Sequence, residues 1–296
     1  MNAHSSSAWR PWLLFAAWVV GLSVVFWKPL LALVEYALNN DNASHILIIP
    51  CIVAWLLYLD HRKVKHTDFD LVASCLFAIP AAALAAILLL SRLKDTSLIL
   101  AGLILSFLLL LISGFIAIFG RRSFRSAWFP LAFLGFAIPF PGPFLDRIIY
   151  YLQAGSADVA ELIFDRSRVP ALRDGFFFRL PRLSIEVASE CSGIRSSIAL
   201  VILAVLVAHF SFSKFWKKAV FVVAGLLMMV VKNGVRIATL TILANYVDPG
   251  FLYGRLHKEG GVVFFLMGLA LLLPVYWLLR RGEAQAELAR PEVSPT

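Results

Sequence analysis

Cys191, Arg236 and His257 come from distant stretches of this chain, and their types together suit acyl transfer. A thiolate attacks a carbonyl carbon, a guanidinium stabilises the oxyanion that develops, and an imidazole moves the proton to or from the leaving amine. Each also has an ordinary reading. Cysteines are commonly small buried residues, and a histidine in a polar loop is commonly just solvated. The setting of Cys191 points to chemistry: it stands in Glu190-Cys191-Ser192-Gly193-Ile194-Arg195-Ser196-Ser197, directly before a long apolar run. A helix starting there turns unpaired backbone N–H groups and its positive dipole end toward the sulfur, and Arg195 adds a second positive charge. Arg236 follows Lys232-Asn233-Gly234-Val235 inside another apolar run. Ionisable groups in such a place are costly and are functional candidates by default. Lys232 raises the same question more weakly, while Asn233 can orient Arg236 or donate a hydrogen bond itself. Glu190 can hold Arg195 or tune a proton, and His45, opening a different apolar run, is a candidate for substrate binding. Cys51 and Cys75 fall within apolar runs and read as packing residues. The cysteines lack CxxC spacing, no histidine–carboxylate pair has metal-ligand spacing, and no Gly-rich phosphate loop occurs. No metal or cofactor is therefore expected.

The elements that must position these residues are membrane helices. The 296-residue chain is 60% hydrophobic and 15% charged, with a mean hydropathy of +0.84. That is more apolar surface than a soluble domain needs, so the fold class is an all-α polytopic membrane protein. A net charge of +9 would suggest nucleic acid for a soluble protein; in a membrane protein it marks cytoplasmic loops, and no nucleic-acid partner is expected. The run after Arg10 is too long for a signal-peptide core and reads as a retained span. About eight spans are predicted from runs of sufficient length: 12–34, 45–59, 71–91, 97–119, 127–140, 193–210, 219–246 and 261–279. Residues 1–281 read as a single integral membrane domain, and 282–296 as a polar cytoplasmic tail.

Residues 142–190 form the one long polar insert. Phe144, Ile148, Tyr151/Leu152, Gly155, Val159 and Leu162/Ile163 recur at helical spacing, which predicts an amphipathic helix on the membrane surface or across the bundle. Phe176, Phe178 and Leu180, then Leu183, Ile185 and Val187, alternate around Pro181-Arg182 and predict a small β-hairpin leading to Cys191. Lys and Arg concentrate in alternate loops, at Arg10, 62–65, 121–125, 214–218 and 280–281. That asymmetry predicts a multi-pass membrane protein with both termini cytoplasmic. Cys191 and His257 then fall on the extracytoplasmic side. Arg236 lies 18 residues past Lys218, about 27 Å along a helix, and so reaches the same leaflet. Gly234 reads as a place where the seventh span loosens or kinks.

Together, the string from Leu183 to Arg195 with Glu190-Cys191-Ser192-Gly193-Ile194-Arg195 at its end, then Asn233-Gly234-Val235-Arg236-Ile237, then His257, resembles the exosortase/archaeosortase family. The hairpin-like 175–187 and Ser44-His45 at the second span are similar too, and the resemblance is concentrated in 175–261. It implies a polytopic membrane cysteine protease or transpeptidase with Cys191, Arg236 and His257 as its triad and Arg195 as part of the cysteine motif. The implied substrates are secreted proteins with a C-terminal sorting tail: a short Pro-Glu-Pro-type motif, one membrane span and a basic cluster. Cleavage would occur at the outer face, with the acyl group passed to water, a lipid amine or a sugar-bearing lipid. Glu190 stands where the commonest bacterial members have alanine, so the tail motif is left open. Two other classes compete with this reading: a transporter or channel whose anionic pathway is lined by Lys232 and Arg236, and a non-catalytic assembly factor for envelope polysaccharide.

Overall fold

The computed structural model describes residues 9–61, 64, 69–188, 193–252 and 261–288, the stretch 282–288 by its backbone alone. They fall into two compact units, Met1–Leu145 and Asp146–Thr296. The first is helical. Helices α1 (Arg10–Val25) and α2 (Trp27–Asn39) meet at an angle of 81°, where one continuous span was expected over 12–34. The cause is Pro29: in an unbroken helix its ring would strike the carbonyl of Val25, so α1 ends there. A 3-10 turn (Asp41–Leu47) leads into α3 (Ile49–Asp60), followed by α4 (Leu71–Leu90) and α5 (Thr96–Phe133). Helix α5 continues through a 3-10 turn to Ala137, a run of 42 residues. Straight, it would measure about 63 Å, roughly twice a hydrocarbon core. It is interrupted at Gly120, whose φ of 78° and ψ of 168° are not helical.

Helix α5 is the spine of this unit. The Trp18 indole N–H of α1 donates to the Leu110 carbonyl at 3.1 Å, and Phe15 meets Phe115 edge-on at 5.4 Å. From α4, Ser74 and Ser113 share a hydrogen bond at 3.0 Å, a polar clasp between two otherwise apolar helices. Cys51 and Cys75 are free thiols exposed on α3 and α4, not the packing residues expected of them.

The second unit takes most of α6 (Gly142–Arg166), then a three-stranded antiparallel sheet of β1 (Leu172–Asp174), β2 (Phe177–Arg179) and β3 (Ser184–Glu186) in that order. Helices α7 (Ile194–Ser211), α8 (Phe215–Tyr246) and α9 (Gly261–Leu288) follow and pack on one another. The hairpin expected over 176–187 is β2–β3. Strand β1 is an addition, joined through Gly175, whose φ of +61° supplies the left-handed first position of a two-residue turn. Helix α6 forms where expected, and part of the expected stripe packs: Gly155 and Val159 meet α8, and Ile163 joins the core beside the sheet. Its buried residues are Gln153, Ser156, Ala157, Ala160 and Phe164, while Phe144, Tyr151 and Leu162 are exposed. Phe164 meets Phe178 edge-on at 5.3 Å, and together with Val187 and Ile237 they form a core joining α6, the sheet and α8. Arg173 of β1 donates to Asp158 and Glu161 of α6, each at 2.7 Å. Partial burial works against its charge, but the bonds and charges of the two carboxylates outweigh that and hold its pKa above the ordinary value.

Among the described residues, six helices are long and apolar enough to cross a membrane, or seven if α1 and α2 make one bent span. The expected fourth and fifth spans, 97–119 and 127–140, are the two helical halves that meet at Gly120 and are counted there as one continuous run of 42 residues.

Candidate active site

Helix α8 carries the polar residues that gather at the centre of the second unit. Lys232 and Asn233 are 2% and 1% exposed. Lys232 Nζ donates to Ser196 Oγ of α7 at 2.6 Å, and that hydroxyl donates to the Gly193 carbonyl at 3.0 Å. The lysine stem passes Gly268 of α9, where a Cβ would lie 3.1 Å from its Cδ. One turn further along α8, half-buried Arg236 adds a like charge that Lys232 feels directly. Two cations so close in an apolar helix are expensive unless hydrogen-bonded, and Ser196 answers one of them.

Asn233 Nδ2 donates to Ser156 Oγ of α6 at 3.1 Å, and Ser156 is fully buried. The helices come close enough for this because of two glycines. A Cβ on Gly234 would lie 2.5 Å from Val159 Cβ and 2.8 Å from the Ser156 carbonyl, and one on Gly155 would lie 2.9 Å from Val230 Cγ1. Gly234 was expected to loosen or kink the span. Helix α8 instead runs unbroken from Phe215 to Tyr246, and Gly234 serves as the contact that admits α6.

Gly193 caps α7 with φ +68° and ψ 19°, a left-handed conformation that favours glycine. A Cβ there would also come within 2.8 Å of Asn233 Oδ1 and 3.6 Å of Lys232 Nζ. The start of α7 is thus pressed against the middle of α8. From the other side the chain is held by Gln153 of α6, whose side-chain amide donates to the Val187 carbonyl. The turn of the hairpin is fixed as well, since Arg182 N donates to Asn245 Oδ1 at 3.2 Å. Val187 is thus held by α6, and Gly193 lies against α8.

The two sequence strings that carried the resemblance meet in space at Gly193 and Asn233. The profile of the transmembrane exosortase (EpsH) family matches residues 37–274. The chain belongs to that family. No curated protein and no solved structure matches it. As an exosortase it is a multi-pass transmembrane protein of a family regarded as membrane cysteine proteases or transpeptidases.

Of the candidate residues, the structure brings Asn233 and Arg236 into one polar cluster and puts Arg195 exposed on the first turn of α7. Glu190, Cys191 and His257 lie outside the described residues. His45 belongs to the first unit, in the 3-10 turn, with its ring bonded to the main chain of Asn42 and Phe136. Ser196, Ser156 and Gln153 were not singled out from the sequence. Ser196 lay in the quoted cysteine string. Ser156 and Gln153 gave a weaker signal, as polar positions on one face of a helix read for its large apolar residues. Among the described residues, no group of three or more His, Cys, Asp or Glu could hold a metal ion.

Proposed function

We propose that this exosortase is a cysteine transpeptidase that removes the C-terminal sorting tail of secreted proteins at the outer face of the membrane. Cys191 is the nucleophile, Arg236 the oxyanion stabiliser and His257 the general acid and base. The Cys191 thiolate attacks the scissile carbonyl and the negative charge moves to oxygen beside Arg236. Collapse expels the amine of the tail, which takes a proton from the His257 imidazolium, and leaves a thioester. Water or an acceptor amine or hydroxyl then gives its proton to His257 and displaces the thiolate. Arg195 and Glu190 tune the charge around the thiol, Asn233 sets the turn before α7, and His45 contributes to substrate binding.

The observation that carries this reading is the contact of Gly193 with Asn233. It joins the cysteine string to the Asn-Gly-Val-Arg string and leaves Arg236 one turn away. The alternation of basic loops supports the orientation, with both termini cytoplasmic and the site extracytoplasmic. The competing transport reading needs Lys232 to line a pathway, and burial to 2% exposure with a bond to Ser196 speaks against that.

The test is made in the producing cell. A candidate substrate with its tail is expressed beside wild type, Cys191→Ala, Arg236→Ala and His257→Ala, and its mass is followed. Tail loss in wild type that stops with Cys191→Ala is expected, and the terminal mass separates hydrolysis from transfer. Equal tail loss with Cys191→Ala would end the nucleophile assignment.

A further inference from the structure

An apolar crevice of about 540 Å³ runs between α7 and α9, with Ala204 and Val207 on one wall and Leu266 and Ala270 on the other. Leu266 and Leu273 on its rim are exposed, so it opens sideways. At one end it closes on two hydroxyls, Ser211 and Tyr276, which share a hydrogen bond. Its lining from Leu200 to Ser211 extends about 16 Å along α7. The volume is typical of a binding pocket, and the walls are apolar throughout their length.

Beyond the hydroxyl end lies a concentration of positive charge. Arg280 donates to the Tyr276 hydroxyl at 2.5 Å and is exposed. Exposed Lys214 lies three residues past Ser211, the last residue of α7, and Arg281 is exposed beside Trp277. Lys217 donates to the Leu279 carbonyl at 3.0 Å, which fixes the start of α8 beside residues 279–281 of α9 and keeps these cations together. Trp216, Trp277 and Tyr276 are the amphipathic rings that favour a headgroup boundary. An apolar slot topped by hydroxyls and then by several cations is complementary to one molecule class, an acyl chain carrying an anionic headgroup.

We propose that this crevice is a binding site for a single anionic phospholipid. One acyl chain lies between α7 and α9, and the phosphate is held by Lys214 and Arg280 at the Ser211–Tyr276 end. A sorting-tail helix is a poorer occupant, because its own basic cluster would meet these cations. The site is independent of the cysteine chemistry.

The test uses the full-length protein, purified in detergent and offered equal amounts of dioleoyl phosphatidylglycerol and dioleoyl phosphatidylcholine, with retained lipid counted by native mass spectrometry. One phosphatidylglycerol per chain is expected, favoured over phosphatidylcholine by roughly thirtyfold given two basic contacts near the surface. Lys214→Ser with Arg280→Ser should abolish the preference. Ala270→Phe should remove the bound lipid while leaving the charges in place; Ala270→Leu, a milder filling, is run alongside in case the larger ring impairs folding. Equal retention of the two lipids by wild type would overturn the proposal. So would retention unchanged by either filling variant, which would locate the lipid on the outer surface. Displacement of the lipid by a sorting-tail peptide would reassign the crevice to substrate.

Discussion

Lys232 Nζ and Ser196 Oγ lie 2.6 Å apart, joining the middle of α8 to the first turn of α7. The serine passes the contact on to the Gly193 carbonyl, so a buried amine braces the Gly193 cap of α7. Lys232 thus ties α8 to the start of α7, and its removal and the removal of its acceptor have different consequences.

Ser196→Ala leaves a buried amine without its hydroxyl and should destabilise the protein by about 1–3 kcal/mol. Lys232→Met removes the charge, keeps most of the stem against Gly268, and should cost about 1 kcal/mol or less. Thermal denaturation in detergent measures both. The reverse order would show that the hydroxyl does not anchor the amine.

Gly193→Ala meets two separate penalties. Its φ of +68° is costly for any side chain, by about 1–2 kcal/mol, and its Cβ would lie 2.8 Å from Asn233 Oδ1. Adding Asn233→Ala should relieve the second and leave the first. Gly21→Ala, with open space at its Cβ in α1, is the control and should stabilise by about 0.5–1 kcal/mol. Equal melting shifts for Gly193→Ala and Gly21→Ala would contradict the cap geometry.

Gly234→Ala forces α6 and α8 apart, since the new methyl would meet Val159 Cβ at 2.5 Å and the Ser156 carbonyl at 2.8 Å. A loss of about 1–3 kcal/mol is expected. Val159→Ala should restore only a small part, because it removes the Cγ1 contact while the Val159 Cβ and the Ser156 carbonyl remain. A glycine acting as a hinge would instead show a stabilised helix in the alanine variant.

Asp95 gives a pH dependence. It caps α5, accepting from the Ser97 hydroxyl at 2.6 Å and from the Leu98 N–H at 3.1 Å. Those bonds, the Ser97 hydroxyl first, hold its pKa below the ordinary value of 3.8. A depressed folded pKa contributes stability that is fully present above the unfolded value and is lost as pH falls through the folded one. Wild type should therefore melt above Asp95→Ala near neutral pH, with the gap narrowing as the pH drops below 3.8. A gap that stays constant into acid would show that ionised Asp95 is not the cap. Ser97 Oγ also receives the Gly142 N–H at 2.9 Å, so loss of the cap should loosen the start of α6.

The sequence by itself determined the class, the helical stretches and the residue types of the site. A period near 3.6 marked α6, alternation marked the β2–β3 hairpin, and Lys232-Asn233-Gly234-Val235-Arg236 stood out because charge in an apolar helix is costly. The tertiary structure decided which faces meet. It turned α6 onto Ser156, Ala157 and Ala160, made Gly234 a contact where a hinge was expected, and brought Ser196 to Lys232. Local chemistry held overlooked clues to the rest: Pro29 set the bend after Val25, and Asp174-Gly175 signalled the turn that adds β1. Helix contacts were harder to read for a physical reason. In a membrane, lipid-facing and protein-facing surfaces are both apolar, so hydropathy does not say which face is packed. Small residues and a few hydrogen bonds choose the partner, and their meaning emerges only when the second helix is in place.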